Sequence, residues 1–193
     1  MTAAHCVYGR EYSEFSILAG TTDLHGNGSK IEAETVLPHE KYDPYDASND
    51  IAVLKLKSPL TYSEVIQPVD LPSSVQMTPE GLVATVIGWG LTYTGGPAPT
   101  SLQYARLQTY SDEDCYRLHK NDQKPKPTNL CAGTPKGGKG QCSGDSGGPL
   151  MVNGYQAGIV SWSIKPCAHS GSPGVFTEVS YFVDWVKNRT WST

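Results

Sequence analysis

Apolar residues in this chain come in short runs, broken at close intervals by glycine and proline. The runs at 15–19, 51–56, 82–87, 156–162 and 174–179 mix alternating and continuous apolar character. That pattern predicts strands buried on one or both faces. Runs this short, bounded by turn residues, favour many strands over long helices. One stretch differs. Over 180–191, Phe182, Trp185 and Val186 share a helical face, and Ser180 stands where an N-cap would. Residues 67–79 carry three prolines among polar residues and read as the connection between two halves. The expected fold class is all-β with a helix at the C-terminal end.

Composition adds limits. A chain of 193 residues is long enough for one or two domains with a sizeable core. Its 20 glycines and 14 prolines agree with a strand-and-turn architecture. The net charge is −4 and no basic stripe appears, which argues against nucleic-acid binding. No apolar run approaches the length that crosses a membrane. Met1 is followed at once by Thr-Ala-Ala-His, which is not a signal peptide. The cysteines Cys6, Cys115, Cys131, Cys142 and Cys167 are spaced neither as zinc ligands nor as a redox pair, so no metal is expected. A disulfide framework in an oxidising compartment fits better. Sequons at Asn27-Gly28-Ser29 and Asn188-Arg189-Thr190 are compatible with secretion and glycosylation.

The chemistry concentrates in Gly140-Gln141-Cys142-Ser143-Gly144-Asp145-Ser146-Gly147-Gly148-Pro149-Leu150. A turn built from glycines can lift the Ser146 hydroxyl outward and aim nearby amide hydrogens at one point. Serine is a weak nucleophile without an adjacent base. His5, within Thr2-Ala3-Ala4-His5-Cys6, is the candidate base. Asp50 opens the apolar segment Asp50-Ile51-Ala52-Val53-Leu54 and is the candidate acceptor for the other imidazole nitrogen. Singly, each has a plain alternative: a surface turn, a structural histidine, a turn aspartate.

Together, the chain order His5, Asp50, Ser146 resembles that of the chymotrypsin-like secreted serine proteases. Gly88-Trp89-Gly90, Ser161-Trp162 and Pro173-Gly174-Val175-Phe176 complete the resemblance in family order. The wording around Ser146 and from Ser161 to Cys167 is most similar to insect-type chymotrypsins. The resemblance implies two antiparallel β-barrels, the first incomplete, followed by a C-terminal helix. The N-terminal barrel would occupy 1–71 and carry His5 and Asp50. The second would occupy 72–179 and carry Ser146 and the pocket, with the helix and tail at 180–193.

The resemblance further implies a serine-type endopeptidase acting through an acyl-enzyme. Gly144 and Ser146 would donate to the oxyanion, Ser161 would support Asp50, and Ser161, Trp162 and Ser163 would pair with substrate. Gly140 would lie at the pocket floor and Gly174 on its wall. Neither carries charge, so the expected preference is for large apolar or aromatic residues before the scissile bond; a relaxed or smaller pocket is the competing reading. Cys115 would pair with Cys131 and Cys142 with Cys167, leaving Cys6 unpaired. Asp145 would be the acid that pairs with an N-terminal amine released on activation. Met1, four residues before His5, cannot supply that amine. The natural chain is therefore expected to be longer; otherwise Asp145 turns outward and the oxyanion hole is poorly formed. A catalytically impaired homologue serving as a binding or regulatory module is the alternative. No cofactor is implied, and the family's calcium loop is not recognisable within 20–34. Partners would be protein or peptide substrates and protein inhibitors, met by a secreted monomer. His25, His39, His119 and His169 read as surface residues, and Trp89 and Trp185 as core.

Overall fold

The computed structural model describes residues 1–119 and 123–190. Strands β1 (Ser16–Ala19), β2 (Ser29–Pro38) and β3 (Ala52–Leu56) form a three-stranded antiparallel sheet in that order. Strands β4 (Val83–Gly88), β5 (Gln103–Thr109), β6 (Asn129–Gly133), β7 (Pro149–Val152), β8 (Tyr155–Trp162) and β9 (Gly174–Glu178) close a barrel in the order β4-β5-β6-β9-β8-β7. The all-β expectation holds, with one closed barrel, a second sheet and a C-terminal helix.

Each expected apolar run forms a strand within a residue of its bounds. Strands β2, β5, β6 and β7 lie outside those runs. In β2, Lys30, Glu32 and Glu34 face solvent while Ala33 is buried, so alternation is written with charges and small residues. In β5 only Leu107 and Thr109 are buried. A helix, α1 (Asp112–Leu118), also escaped the apolar pattern. Its signals are polar: Ser111 Oγ accepts from Asp114 N at 3.2 Å, and Asp112, Glu113 and Asp114 occupy the first turn.

The C-terminal segment departs from expectation in one detail. A 3₁₀ turn, Val179–Phe182, precedes α2 (Val183–Thr190). Ser180 is not an N-cap. It lies buried inside the 3₁₀ turn, because Val179 and Phe182 on either side are drawn into the core. Trp191, the expected end of the helix, lies outside the described residues.

Two apolar clusters organise the molecule. One fills the barrel around Leu130, Leu150, Val160 and Phe176. The other gathers Ala3, Ile51, Val53, Ile159, Val179, Phe182, Val183 and Val186. This second cluster joins the N-terminal segment and β3 to barrel strand β8 and to α2. Each Val, Ile or Phe side chain fully buried there stabilises the fold by about 1.5–3 kcal/mol. Ile51 follows Asp50, and Ile159 stands two residues before Ser161. Packing these isoleucines together brings those polar neighbours within reach of each other.

Candidate active site

The site is assembled from three stretches distant in sequence. His5 lies in a 3₁₀ turn, Ala4–Cys6, behind the fully buried Ala3 and Ala4. Thr2 exchanges backbone hydrogen bonds with Ala52, N to O at 2.9 and 2.8 Å. This bridge ties the His5 segment to the start of β3, next to Asp50. Asp50 emerges from a turn whose preceding residue, Asn49, has φ +53°. Asparagine tolerates this left-handed conformation better than most residues, and its Nδ2 is anchored on Lys41 O at 2.8 Å.

The Asp50 carboxylate is fully buried and fully engaged. Oδ1 accepts the His5 amide at 2.8 Å, and Oδ2 accepts His5 Nδ1 at 2.8 Å and Ser161 Oγ at 2.6 Å. Thr177 Oγ1 holds the Asp50 carbonyl at 2.8 Å. A buried carboxylate requires such donors. Ser161 points this way because the β8–β9 register shifts between Val160 and Trp162, a bulge that re-aims the strand's side chains. The imidazole itself is about a third exposed, at 32%. Its pKa is raised above the ordinary histidine value, first by the hydrogen bond to Asp50 and then by one to Cys6.

Ser146 is exposed at the tip of the glycine turn. Gly144 and Gly147 have φ +95° and +79°, which residues with a Cβ resist. Gly147 also packs against the His5 segment: a Cβ there would strike Thr2 Oγ1 and lie 3.2 Å from Ala3 N and 3.3 Å from Cys6 Sγ. The turn that carries Ser146 is thereby seated on the residues that carry His5. Backbone bonds fix it from below, Gly147 N to Val160 O and Val160 N to Gly148 O, both 2.9 Å. Within the turn, the amides of Asp145, Gly147 and Gly148 find carbonyl acceptors. Those of Gly144 and Ser146 donate to none of the described residues. Two unengaged amide hydrogens beside an exposed hydroxyl suit a developing oxyanion.

Asp145 turns inward. Its carboxylate accepts from Gly90 N at 2.8 Å and Cys142 N at 2.9 Å, and no basic side chain among the described residues pairs with it. The outward turn considered above is absent, because two backbone amides satisfy the carboxylate in place.

Three of the five residues expected to bind substrate border one small space. Gly140, Ser163 and Gly174 border it, and Ser161 and Trp162 form the adjoining edge of β8. The Cys142–Cys167 disulfide ties the two sides together, and Cys115–Cys131 joins α1 to β6. Cys6 is not in a disulfide. Gln141 also borders this space, and sequence reasoning passed over it. It is buried, and its Nε2 donates to Trp162 O at 2.8 Å and Val175 O at 3.4 Å.

Other expectations divide. His25 and His169 are exposed. His39 is half-buried, with ring centroids 4.8 Å from Trp185 and 5.4 Å from Phe182. His119 is not a surface residue; it is fully buried, bonded through Nε2 to Pro173 O at 2.9 Å and set edge-on to Trp162 at 5.1 Å. The end of α1 carries it inward, beside the Cys115–Cys131 bridge and behind Trp162. Trp89 and Trp185 are half-buried rather than enclosed. Trp89 Nε1 reaches Thr100 O at 3.1 Å, and Trp185 Nε1 reaches Glu40 Oε2 at 2.8 Å. Among the described residues, no group of three or more His, Cys, Asp or Glu is gathered as metal ligands would be.

Comparison with known proteins is consistent along the whole chain. The family model described as Trypsin matches residues 1–186. Trypsin-1 of Astacus astacus is 41% identical over 197 residues, covering 97% of this chain and 81% of that protein. Chymotrypsin-2 of Vespa crabro is 36% identical, covering 98% of this chain and 84% of its own. Among solved structures, neuropsin, a serine protease expressed in the limbic system of mouse brain, superposes with a TM-score of 0.88 at 30% identity. That match covers 97% of this chain and 82% of neuropsin.

Proposed function

This chain belongs to the trypsin family of serine proteases, and we propose that it hydrolyses peptide bonds through Ser146, His5 and Asp50. The observation that carries the reading is the buried Asp50 carboxylate set on His5 Nδ1 at 2.8 Å, with the imidazole still about a third open to solvent. The packing of Gly147 on Thr2, Ala3 and Cys6 supports placing Ser146 on that open side.

In this reading Ser146 Oγ attacks the substrate carbonyl carbon while His5 Nε2 takes the hydroxyl proton. Asp50 accepts from Nδ1–H, fixes the tautomer and stabilises the imidazolium, without taking the proton itself. The carbonyl oxygen becomes an oxyanion held by the amides of Gly144 and Ser146. The tetrahedral species collapses, the C–N bond breaks, and the leaving amine receives the proton from His5. Water then attacks the acyl carbon as His5 takes its proton, the bond from that carbon to Ser146 Oγ breaks, and His5 returns the proton to Oγ as the acid leaves. In this reading residues 1–71 supply the base and its acid and 72–179 the nucleophile and pocket, with α2 closing the described chain.

The absence of charge at Gly140 and Gly174 supports an uncharged, apolar side chain before the scissile bond, in line with the chymotrypsin-like preference expected from the sequence. An extended peptide would pair with the edge at Ser161–Ser163. We place the protein outside the cell as a monomer acting on proteins or peptides and open to protein inhibitors; its two disulfides agree with an oxidising compartment. Hydrolysis of a peptide amide by wild type, lost in Ser146→Ala and His5→Ala, tests the reading. Equal hydrolysis by Ser146→Ala contradicts it.

A further inference from the structure

Gln141 stands across the pocket that Gly140 and Gly174 leave open in the sequence. Its Nε2 is pinned between two main-chain carbonyls, Trp162 O at 2.8 Å and Val175 O at 3.4 Å. These belong to β8 and β9, whereas Gln141 belongs to the segment leading to Ser146. The side chain therefore spans from one wall of the pocket to the other two. With both carbonyls acting as acceptors, the amide must present its nitrogen to them, and this settles which way the group points. Oε1 then faces Gly174, 2.5 Å from where a Cβ on that glycine would sit. It is buried and has no hydrogen-bond partner among the described residues.

The space that Gly140, Gln141, Ser163 and Gly174 border together with Lys139, Ala168, His169 and the segments 133–137 and 172–173 is about 10 Å³, room for about one water. A cavity of about 420 Å³ shares Gly140 and Ala168 with this space but extends away toward Gly90 and Asp145, and Gln141 does not line it; another of about 480 Å³ lies between the His5 segment and β1 and β3. A benzyl or indole side chain entering here must push Gln141 off both carbonyls or stop short of the base. In the first case the Gln141 amide and two carbonyls are left buried without partners, which discriminates more sharply than apolar fit alone; in the second the ring keeps much of its apolar surface in water.

We propose that Gln141 is the specificity-determining residue of this site, a crossbar that limits it to small uncharged side chains such as alanine, serine or threonine before the scissile bond. This rests on the protease reading above and narrows its pocket preference from large to small. Oε1 provides an acceptor for a short donor, a hydroxyl or the single water that fits beside a methyl group. Lysine and arginine are refused for a different reason: among the described residues bordering the space none is a carboxylate that could replace their hydration, and Lys139 already stands there.

The test compares chromogenic peptide amides ending in Ala, Thr, Phe or Lys, with active sites counted by fluorophosphonate titration. Wild type is expected to cleave after Ala or Thr with kcat/KM at least about tenfold above Phe. Gln141→Ser, which keeps a neutral floor and removes the crossbar, is expected to reverse that ratio while its titratable sites remain. Wild type preferring Phe, or a folded Gln141→Ser with an unchanged Ala-to-Phe ratio, overturns the proposal. If Gln141→Ser does not fold, the wild-type ratio alone decides it. A folded protein that neither labels nor cleaves any of the four peptides fails the protease reading instead, and the inference falls with it.

Discussion

The hydroxyl of Ser161 donates a 2.6 Å hydrogen bond to the carboxylate of Asp50, 111 positions away in the chain. That bond links the N-terminal sheet to the barrel at the point where the proposed chemistry needs a fixed acid. It exists because Ile51 and Ile159 share one apolar cluster and because a bulge in β8 turns Ser161 toward it. Replacing the hydroxyl tests this link. Ser161→Ala leaves Asp50 buried with one donor fewer, at an expected cost of about 1.5–3 kcal/mol in unfolding free energy. The acid stays on His5, so kcat/KM should fall by about tenfold at most. Urea denaturation and peptide hydrolysis measure the two effects.

The raised pKa of His5 fixes the direction of the pH response. The base must be neutral to accept the serine proton, so kcat/KM should rise with pH and its acid limb should lie above the ordinary value of about 6.5. Asp50 is the largest cause of the shift. Asp50→Asn should therefore move that limb to lower pH while reducing turnover by roughly 10⁴-fold. The stability effect has the opposite sense. Because the folded value is raised, the pair contributes fully below about pH 6.5 and its contribution is lost as pH rises through the folded value. Kinetic pH profiles and denaturation at several pH values check both directions.

How much of this was legible beforehand depends on residue chemistry. Ser146, His5 and Asp50 stood out because their neighbours are distinctive: glycines around the serine, alanines before the histidine, an apolar strand after the acid. Gln141 did not, since nothing in its neighbours says that its amide will reach carbonyls on two other strands. The same limit hid β2, whose alternation is written in lysines and glutamates, and α1, whose signals are a serine cap and an acidic first turn. His119 read as polar surface because its burial depends on where α1 docks, behind Trp162. Ser180 read as a cap because its hydroxyl type fits one; packing of Val179 and Phe182 decided otherwise.

The seat of the Ser146 turn on the His5 segment predicts an intolerant position. In Gly147→Ala, the methyl group meets Thr2 Oγ1 and the backbone is held at φ +79°. The conformational strain alone is about 1–2 kcal/mol. The clash adds to it by separating the two segments. Activity should fall more than the loss of stability accounts for, and kcat should fall more than KM rises. Gly154→Ala, also at positive φ but with open space around it, serves as the control for strain without a clash.

The Cys142–Cys167 bridge closes a loop of 25 residues. Chain-entropy reasoning gives it about 3.5 kcal/mol of stabilisation. A Cys142→Ser, Cys167→Ser double variant should lose that order of stability and should raise KM, because the two sides of the pocket are no longer tied. Thermal unfolding and Michaelis kinetics read these separately. The Cys115–Cys131 bridge packs with Val175 and Trp162 but does not tie the Ser146 segment to another strand, so its removal should affect stability more than KM.

The central claim is that Ser146, His5 and Asp50 act as one unit. Reaction with a fluorophosphonate, followed by peptide mapping of the modified residue, tests it most directly. The account predicts stoichiometric modification at Ser146, abolished in Ser146→Ala and slowed by orders of magnitude in His5→Ala. A folded protein left unmodified, or modified at the same rate with His5 removed, would contradict it.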